Sequence, residues 1–370
     1  MQEPEIDGGV LPIQRLKELV QRKKIIGINL SYINPASIDL PLSKEAYRLE
    51  GTFLPKRGEK IRDILSYPSV SAKPHDLKNP LEVSVSYIIR LEGKVTLPNN
   101  IYGYVNPKSS TGRINLFCRV VADGVPFYDT VAPAGWCGEM WLLVRADSFA
   151  VLVSPGLALS QLRLFNQYTV LDYKKMKEVL VKDRLLWKQS GIPYKENEVH
   201  IDNDGSLLLT LDLSTKLVGY ECKNPSKILD IQNKYFYKPE DFFTPIYVEQ
   251  GSITLRKGRF YILSTRESVM VPPHLSAEVR PIDVRFGEFR THAAGYVDPG
   301  WGWGKKGEGK GQPITLEVIP YEDVIIREGQ IVGRIRFERM QEVPTATYGS
   351  LGNSHYTKQK TAKLSKHFKT

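Results

Sequence analysis

The sequence predicts an all-β protein made of two tandem copies of one domain. Three observations lead there. Short runs of alternating apolar and polar residues dominate, such as Leu81-Glu-Val-Ser-Val-Ser-Tyr-Ile-Ile-Arg-Leu91, and 24 prolines and 29 glycines punctuate the chain. Period-two alternation between turn residues is the pattern of half-buried strands in a sandwich or barrel. Blocks of the first half then return in the same order in the second. Val95-Thr-Leu-Pro98 to Val105-Asn-Pro107 matches Val269-Met-Val-Pro272 to Val279-Arg-Pro281 at an offset of 174. Gly135-Trp136 echoes Gly300-Trp301, and Gln161-Leu-Arg-Leu-Phe165 echoes Arg334-Ile-Arg-Phe337. Helical spacing, by contrast, is confined to two stretches.

The first stretch is residues 11–23, where Leu11, Ile13, Leu16, Leu19 and Val20 fall on roughly one face, predicting a short amphipathic helix. Strands follow from Ile25. The second is residues 172–190 (DYKKMKEVLVKDRLLWKQS), highly charged and helical in spacing, a connector between the two β units. Strands resume at Val199 and run to about Glu338. A polar tail rich in lysine closes the chain. The expected boundaries are 1–170 for the first β domain, 171–198 for the connector, 199–340 for the second β domain and 341–370 for the tail.

Composition narrows the function classes. At about 150 residues per domain, 370 residues predict two or three domains. A hydrophobic fraction of 41% with 25% charged residues excludes wholesale disorder. The three cysteines, Cys118, Cys137 and Cys222, form no CxxC pair and no disulfide framework, so a cytoplasmic setting is expected. The start, Met-Gln-Glu-Pro-Glu-Ile-Asp, has no apolar core of a signal peptide, and runs such as Phe149 to Val153 are too short to span a bilayer. No membrane partner is expected. A net charge of +10 favours anionic partners. No RRM, KH or helix-turn-helix pattern is present, so no specific nucleic-acid partner is expected.

Several catalytic motifs are missing. No histidine begins an H-x-E, no cysteines have zinc-ligand spacing, and no G-x-S-x-G occurs, which excludes the zinc deaminase and hydrolase-elbow patterns. Gly304-Lys-Lys-Gly-Glu-Gly309-Lys310 fits G-x-x-x-x-G-K, but Gly311 and Gln312-Pro313 follow where a P-loop needs Ser or Thr and a helix. A glycine-lysine loop between strands is the expectation.

Two segments carry chemistry. Asn106-Pro-Lys-Ser-Ser-Thr-Gly-Arg113 sets hydroxyls between two cations, a set suited to polyphosphate, although a plain polar turn fits the same pattern. Glu317 interrupts the apolar strand Ile314 to Ile319. A carboxylate among apolar neighbours suits general acid/base work; an outward, solvated carboxylate fits the alternation equally.

Together, Asn34-Pro-Ala-Ser-Ile-Asp-Leu40, Lys108 to Arg113, Val297-Asp-Pro-Gly-Trp301 and Thr315-Leu-Glu317 resemble the dCTP deaminase branch of the dUTPase superfamily, in its two-domain bacterial form. Gly287-Glu-Phe-Arg-Thr-His-Ala-Ala-Gly295 and Lys363-Leu-Ser-Lys-His-Phe368 extend the likeness, which covers most of residues 25–370. The resemblance implies a dUTPase-like distorted jelly-roll, or β-clip, in each copy. It implies zinc-free hydrolytic deamination of dCTP to dUTP and ammonia, feeding dUMP and dTTP synthesis, with Mg2+ on the triphosphate and no metal cage in the protein.

The residues it implies are catalytic Glu317, with Ala294 beside the attacking water and Ser109 and Arg113 assisting. Substrate contacts implied are Lys108, Ser109, Ser110, Thr111, Gly112 and Arg113 on phosphate, Asp298 on the deoxyribose, and Thr315 and Leu316 on the same strand as Glu317. Tyr348, His355, Tyr356 and Gln359 fall where relatives fold a tail over the nucleotide. Arg280 and Arg285 are the second-copy counterparts of the phosphate segment, in a register that aligning Pro281 with Pro107 would shift. Leu143 stands where Glu317 stands, and it cannot move a proton. One composite site per pair of copies is therefore expected, its vacant counterpart decayed. Three other functions stay open: a dUTP pyrophosphatase using Asp298 (or a bifunctional enzyme), a non-catalytic nucleotide regulator, and a non-specific nucleic-acid binder. A homo-oligomer is compatible with the sequence.

Overall fold

The computed structural model describes residues 8–291, 295–352, 354–357 and 359–369. The chain divides into two compact units. The first contains Leu11–Gln167, Asn224–Tyr237 and the chain from Ser365 onward; the second contains Tyr168–Lys223 and Lys238–Leu364 with the residues up to Val10.

In the first unit, helix α1 (Ile13–Gln21) follows Pro12 and buries Ile13, Leu16 and Leu19 at i, i+3, i+6 spacing, as the sequence predicts. The strands are β1 (Ile38–Leu49), β2 (Ser86–Leu91), β3 (Tyr102–Pro107), β4 (Leu116–Ala122), β5 (Thr130–Val131), β6 (Met140–Ala146) and β7 (Ala158–Phe165). They lie in the order β4-β6-β2-β1-β7-β3-β5. The pairs formed by β1 are antiparallel, with β7 at Leu40 and with β2 at Ala46 to Leu49, so this one long strand belongs to both halves of the sheet. Two short helices interrupt: α2 (Ile61–Leu65) between β1 and β2, and α3 (Ser109–Gly112) directly after β3.

The second unit opens with α4 (Tyr173–Lys182). Asp172 caps it by accepting from the Lys175 amide at 2.8 Å, and Met176, Val179 and Leu180 enter that unit's core. The helix is shorter than its 172–190 periodicity predicts. Arg184 takes φ +50, a left-handed geometry that stops a helix, and Leu186–Trp187 then pairs antiparallel with Ser268–Val269. The strands are β8 (Leu207–Thr210), β9 (Leu217–Cys222), β10 (Phe243–Tyr247), β11 (Tyr261–Val269), β12 (Leu275–Arg280), β13 (Phe289–Thr291), β14 (Tyr296–Val297), β15 (Gln312–Pro320) and β16 (Ile331–Arg339). They form two sheets, β10-β9-β11-β15-β13 and β8-β16-β12-β14.

The duplication is visible in the pairing register. Leu143 of β6 faces Ile88 of β2; Glu317 of β15 faces Ile262 of β11. Both members of the second pair lie 174 positions after the first. The Val271 amide donates to the Trp301 carbonyl as the Leu97 amide does to Trp136, again 174 positions apart for the donors. The long β1 of the first copy is divided into β8 and β9 in the second.

Candidate active site

Pro107 ends β3, and Lys108 in extended backbone starts the single turn of α3. This geometry turns the chain sharply and holds Ser110, Thr111 and Arg113 in buried positions, Arg113 only 4% exposed. The Thr111 hydroxyl donates to the Leu159 carbonyl at 2.9 Å. Asn106 Oδ1 accepts from Arg163 Nε at 2.8 Å. The Lys108 ammonium is ion-paired with Asp39, whose carboxylate also accepts from Asn34 Nδ2 at 2.9 Å. Ser37 donates to Gln161 Oε1 at 2.8 Å. The Asn34–Leu40 motif thus has a physical role: it anchors Lys108 and the strand beneath it. The sequence carried that motif without naming its work.

In the second unit, Ile314, Leu316 and Val318 of β15 point into the hydrophobic core. Period two then puts Thr315 and Glu317 on the opposite face. That face is not solvated, because Glu317 is 4% exposed. The tail runs over it: Gln359 Nε2 and the Lys363 amide both donate to Thr315 Oγ1 at 3.3 Å, and the Gln359 amide donates to Gln312 Oε1. The alternation correctly gave the face, and the cover came from a segment far away in sequence.

The hairpin after β14 presents Asp298, half-buried, whose carbonyl accepts from the Trp301 amide at 3.2 Å. Tyr348 packs against Trp301 with its ring tilted 55° and the ring centroids 5.0 Å apart, and its amide donates to the Pro299 carbonyl at 2.7 Å. Gly300 has φ +93, and a Cβ there would lie 2.6 Å from Thr347, so this contact requires glycine. Tyr356 joins the core of this unit, with His355 beside it, and Lys363 Nζ donates to the His355 carbonyl. Ala294 lies outside the described residues.

Arg280 and Arg285 are placed differently from Lys108 and Arg113. Arg280 faces Arg334 in the sheet, the place Asn106 holds against Gln161, and it pairs with Glu278 at 3.2 Å. Arg285 pairs with Asp202 at 2.8 Å and Asp283 at 3.2 Å. Both cations are engaged by carboxylates of their own unit. The Gly304–Lys310 loop has no helix, and two of its backbone amides are taken: Lys305 and Lys306 donate to the Glu308 carboxylate at 3.1 and 2.7 Å. These amides hold the Glu308 carboxyl below its ordinary range.

Asp39, Asn106 and the chain end from Ser365 fall inside motifs the sequence singles out, but the sequence assigns them no partner, since each acts across a distance in sequence.

Such a duplicated β-fold defines a class: one copy keeps a basic, hydroxyl-bearing turn, and the other keeps a buried carboxylate on a central strand. Residues 7–168 match the family described as 2'-deoxycytidine 5'-triphosphate deaminase (DCD) N-terminal domain, and residues 176–368 match the corresponding C-terminal domain. The chain belongs to the 2'-deoxycytidine 5'-triphosphate deaminase family. Among solved structures, it is similar to 2'-deoxycytidine 5'-triphosphate deaminase from Agrobacterium tumefaciens, at 32% identity over 91% of this chain and 99% of that one, with a TM-score of 0.81. No curated protein sequence matches it significantly.

Proposed function

We propose that this protein hydrolyses dCTP to dUTP and ammonia without zinc, and that Glu317 is its general base and acid. The observation that carries the reading is the contrast at one position of the repeat. Glu317 is buried on β15, whereas Leu143, its counterpart, is a core residue. Burying a carboxylate is costly, so a fold that could have kept leucine there has a use for the acid. Family membership and the likeness to the Agrobacterium enzyme support the substrate.

In the proposed mechanism, the Glu317 carboxylate takes a proton from water, and the resulting hydroxide attacks C4 of the cytosine. Glu317 then returns the proton toward N3 or the leaving amine, and the C4–N bond breaks with release of ammonia. Acid/base work of this kind contributes on the order of 10²–10⁴-fold. Lys108, Ser109, Ser110, Thr111, Gly112 and Arg113 hold the triphosphate, and that remote binding positions the ring. Asp298 takes the deoxyribose hydroxyl. Thr315 flanks the base, whereas the Leu316 side chain, expected beside it, is turned into the core; Tyr348, His355, Tyr356 and Gln359 cover the base. Among the described residues, no group of three or more His, Cys, Asp or Glu is arranged to hold a metal ion. The magnesium we propose arrives on the phosphate oxygens as part of the substrate. The free state of all three cysteines supports a cytoplasmic setting, and no helix among the described residues is long and apolar enough to cross a membrane.

Glu317→Gln tests the assignment. It is expected to lower kcat by at least about 10²-fold while dCTP binding stays within a few-fold. Weak binding with normal turnover of bound substrate would overturn it.

A further inference from the structure

The lysine-bearing loop between β14 and β15 has no part in the mechanism above, and the first copy has no room for one. Seven positions separate Trp136 from Leu143, whereas sixteen separate Trp301 from Glu317. The added residues fold into a closed finger. The Gly309 amide donates to the Trp303 carbonyl at 2.8 Å, and the Gly311 amide to the Gly302 carbonyl at 3.1 Å. At the tip, the Glu308 carboxylate turns back onto the Lys305 and Lys306 amides. It lies so close to residue 304, at φ +79, that a Cβ there would be 2.7 Å from Glu308 Cδ, so the tip requires glycine.

This folding decides where the charges go. Glu308 is the only acid of residues 302–311, and its oxygens are occupied by backbone amides. Lys305, Lys306 and Lys310 are exposed, and among the described residues none of the three ammonium groups forms an ion pair with a carboxylate. The first copy differs at the same place. Its short hairpin carries an acid, Glu139, which is ion-paired with Arg62 at 2.8 Å.

The finger also stands at the candidate site. Its base is Gln312, whose carbonyl accepts from the Trp301 indole at 3.4 Å and whose Oε1 accepts from the Gln359 amide at 3.1 Å. Gln359 in turn donates to Thr315 Oγ1, two residues from Glu317. Unpaired ammonium groups on a fixed hairpin create a positive field that extends about 10 Å into 0.1 M salt. Such a field draws a polyanion toward the site before any contact forms.

We propose that the 302–311 finger steers the nucleotide: Lys305, Lys306 and Lys310 speed capture of the triphosphate without gripping it once bound. The inference rests on the dCTP reading above and adds three residues to it. It assigns them to the association rate alone and leaves the holding of bound phosphates to Lys108 through Arg113.

The test uses the full chain and dCTP with magnesium, with association followed by stopped-flow tryptophan fluorescence at low and high salt. Lys305→Met, Lys306→Met and Lys310→Met are combined in one variant. Methionine keeps an apolar stem, and the amides that hold Glu308 are unchanged. The variant is expected to capture dCTP roughly tenfold more slowly at low salt and at the unmodified rate at high salt, with dissociation and kcat within about twofold. Lys305→Arg, Lys306→Arg and Lys310→Arg together should keep the fast rate and its salt dependence, because the charge is retained. Deoxycytidine, which is uncharged, should associate equally with all three proteins. Unaltered low-salt capture of dCTP by the methionine variant would overturn the proposal, as would a loss carried by dissociation or kcat, or equal slowing of deoxycytidine. Ammonia release is read on the same samples. No ammonia from a protein that still captures dCTP in the salt-dependent way would overturn the deamination reading and leave steering standing. Ammonia release with unaltered capture by the methionine variant would overturn this inference alone.

Discussion

The two copies of the domain keep the same strand register and have filled it with opposite chemistry. In the first copy, Leu143 packs with Leu49, Ile61, Ile88, Val121 and Trp141, and the segment bearing Phe53, Leu65 and Val70 closes over them. In the second copy, Glu317 occupies that place, and the stretch that follows its β9 takes another course: Asn224–Tyr237 belongs to the first unit, where Leu229–Asp230 pairs in parallel with Val151–Leu152. The tail covers the Thr315 face instead. The phosphate segments invert the relation. Lys108 to Arg113 is a basic turn with hydroxyls, while Arg280 and Arg285 are engaged by Glu278, Asp202 and Asp283. Under the proposed function, duplication lets each copy turn one half of the site into ordinary structure, apolar core in one and ion pairs in the other.

That contrast can be broken by exchange. Leu143→Glu places an acid where the plug offers only apolar neighbours. It is expected to destabilise the protein by on the order of 3 kcal/mol or more, with no gain in ammonia release. Denaturant unfolding measures it, and a stable variant with added activity would show that the first copy is not committed to structure. The arginines give a smaller effect. Arg113→Ala should weaken dCTP binding roughly tenfold or more, as expected for a lost charge-assisted contact. Arg285→Ala, whose pairs are more than half exposed on the arginine side, should leave binding within a few-fold. Equal losses would mean that both segments bind nucleotide.

The smallest effect concerns the chain end, where the Ser365 hydroxyl donates to the Ser110 carbonyl. His367 is lowered from 6.5 to about 4, mainly by burial, so the docked form holds it neutral. Its folded value lies below its unfolded value. The stability it contributes is therefore complete above about pH 6.5 and is lost as pH falls toward 4. Amide exchange at residues 365–369 should accelerate over that interval, and His367→Phe should flatten the dependence. Exchange independent of pH after correction for its intrinsic rate would contradict this.

Much of this architecture was legible in the residues. Alternation and the repeated Gly-Trp and Val-x-Pro blocks announced two β-domains because a strand buried on one face must alternate, and a repeated fold repeats its turns. Glu317 and the Lys108–Arg113 turn stood out as polar groups in places the pattern reserves for apolar ones or for turns. What the residues could not disclose depends on contacts distant in sequence. The tail conceals Glu317's face, Asp39 reaches Lys108 across 69 positions, and Ser365 reaches Ser110 across 255. The end of α4 was hidden for a different reason: its periodicity continues past Lys182, and only the left-handed Arg184 breaks it.

The central claim is that the carboxylate retained by the second copy performs hydrolytic deamination. Its most direct test is product analysis after incubating the purified protein with dCTP and magnesium, resolving dCTP, dUTP and dUMP and assaying ammonia and pyrophosphate in one tube, with Glu317→Gln alongside. The account predicts ammonia and dUTP in equal amounts from the unmodified protein and neither from the variant. Pyrophosphate from added dUTP without any ammonia from dCTP would contradict it and move the chemistry to Asp298.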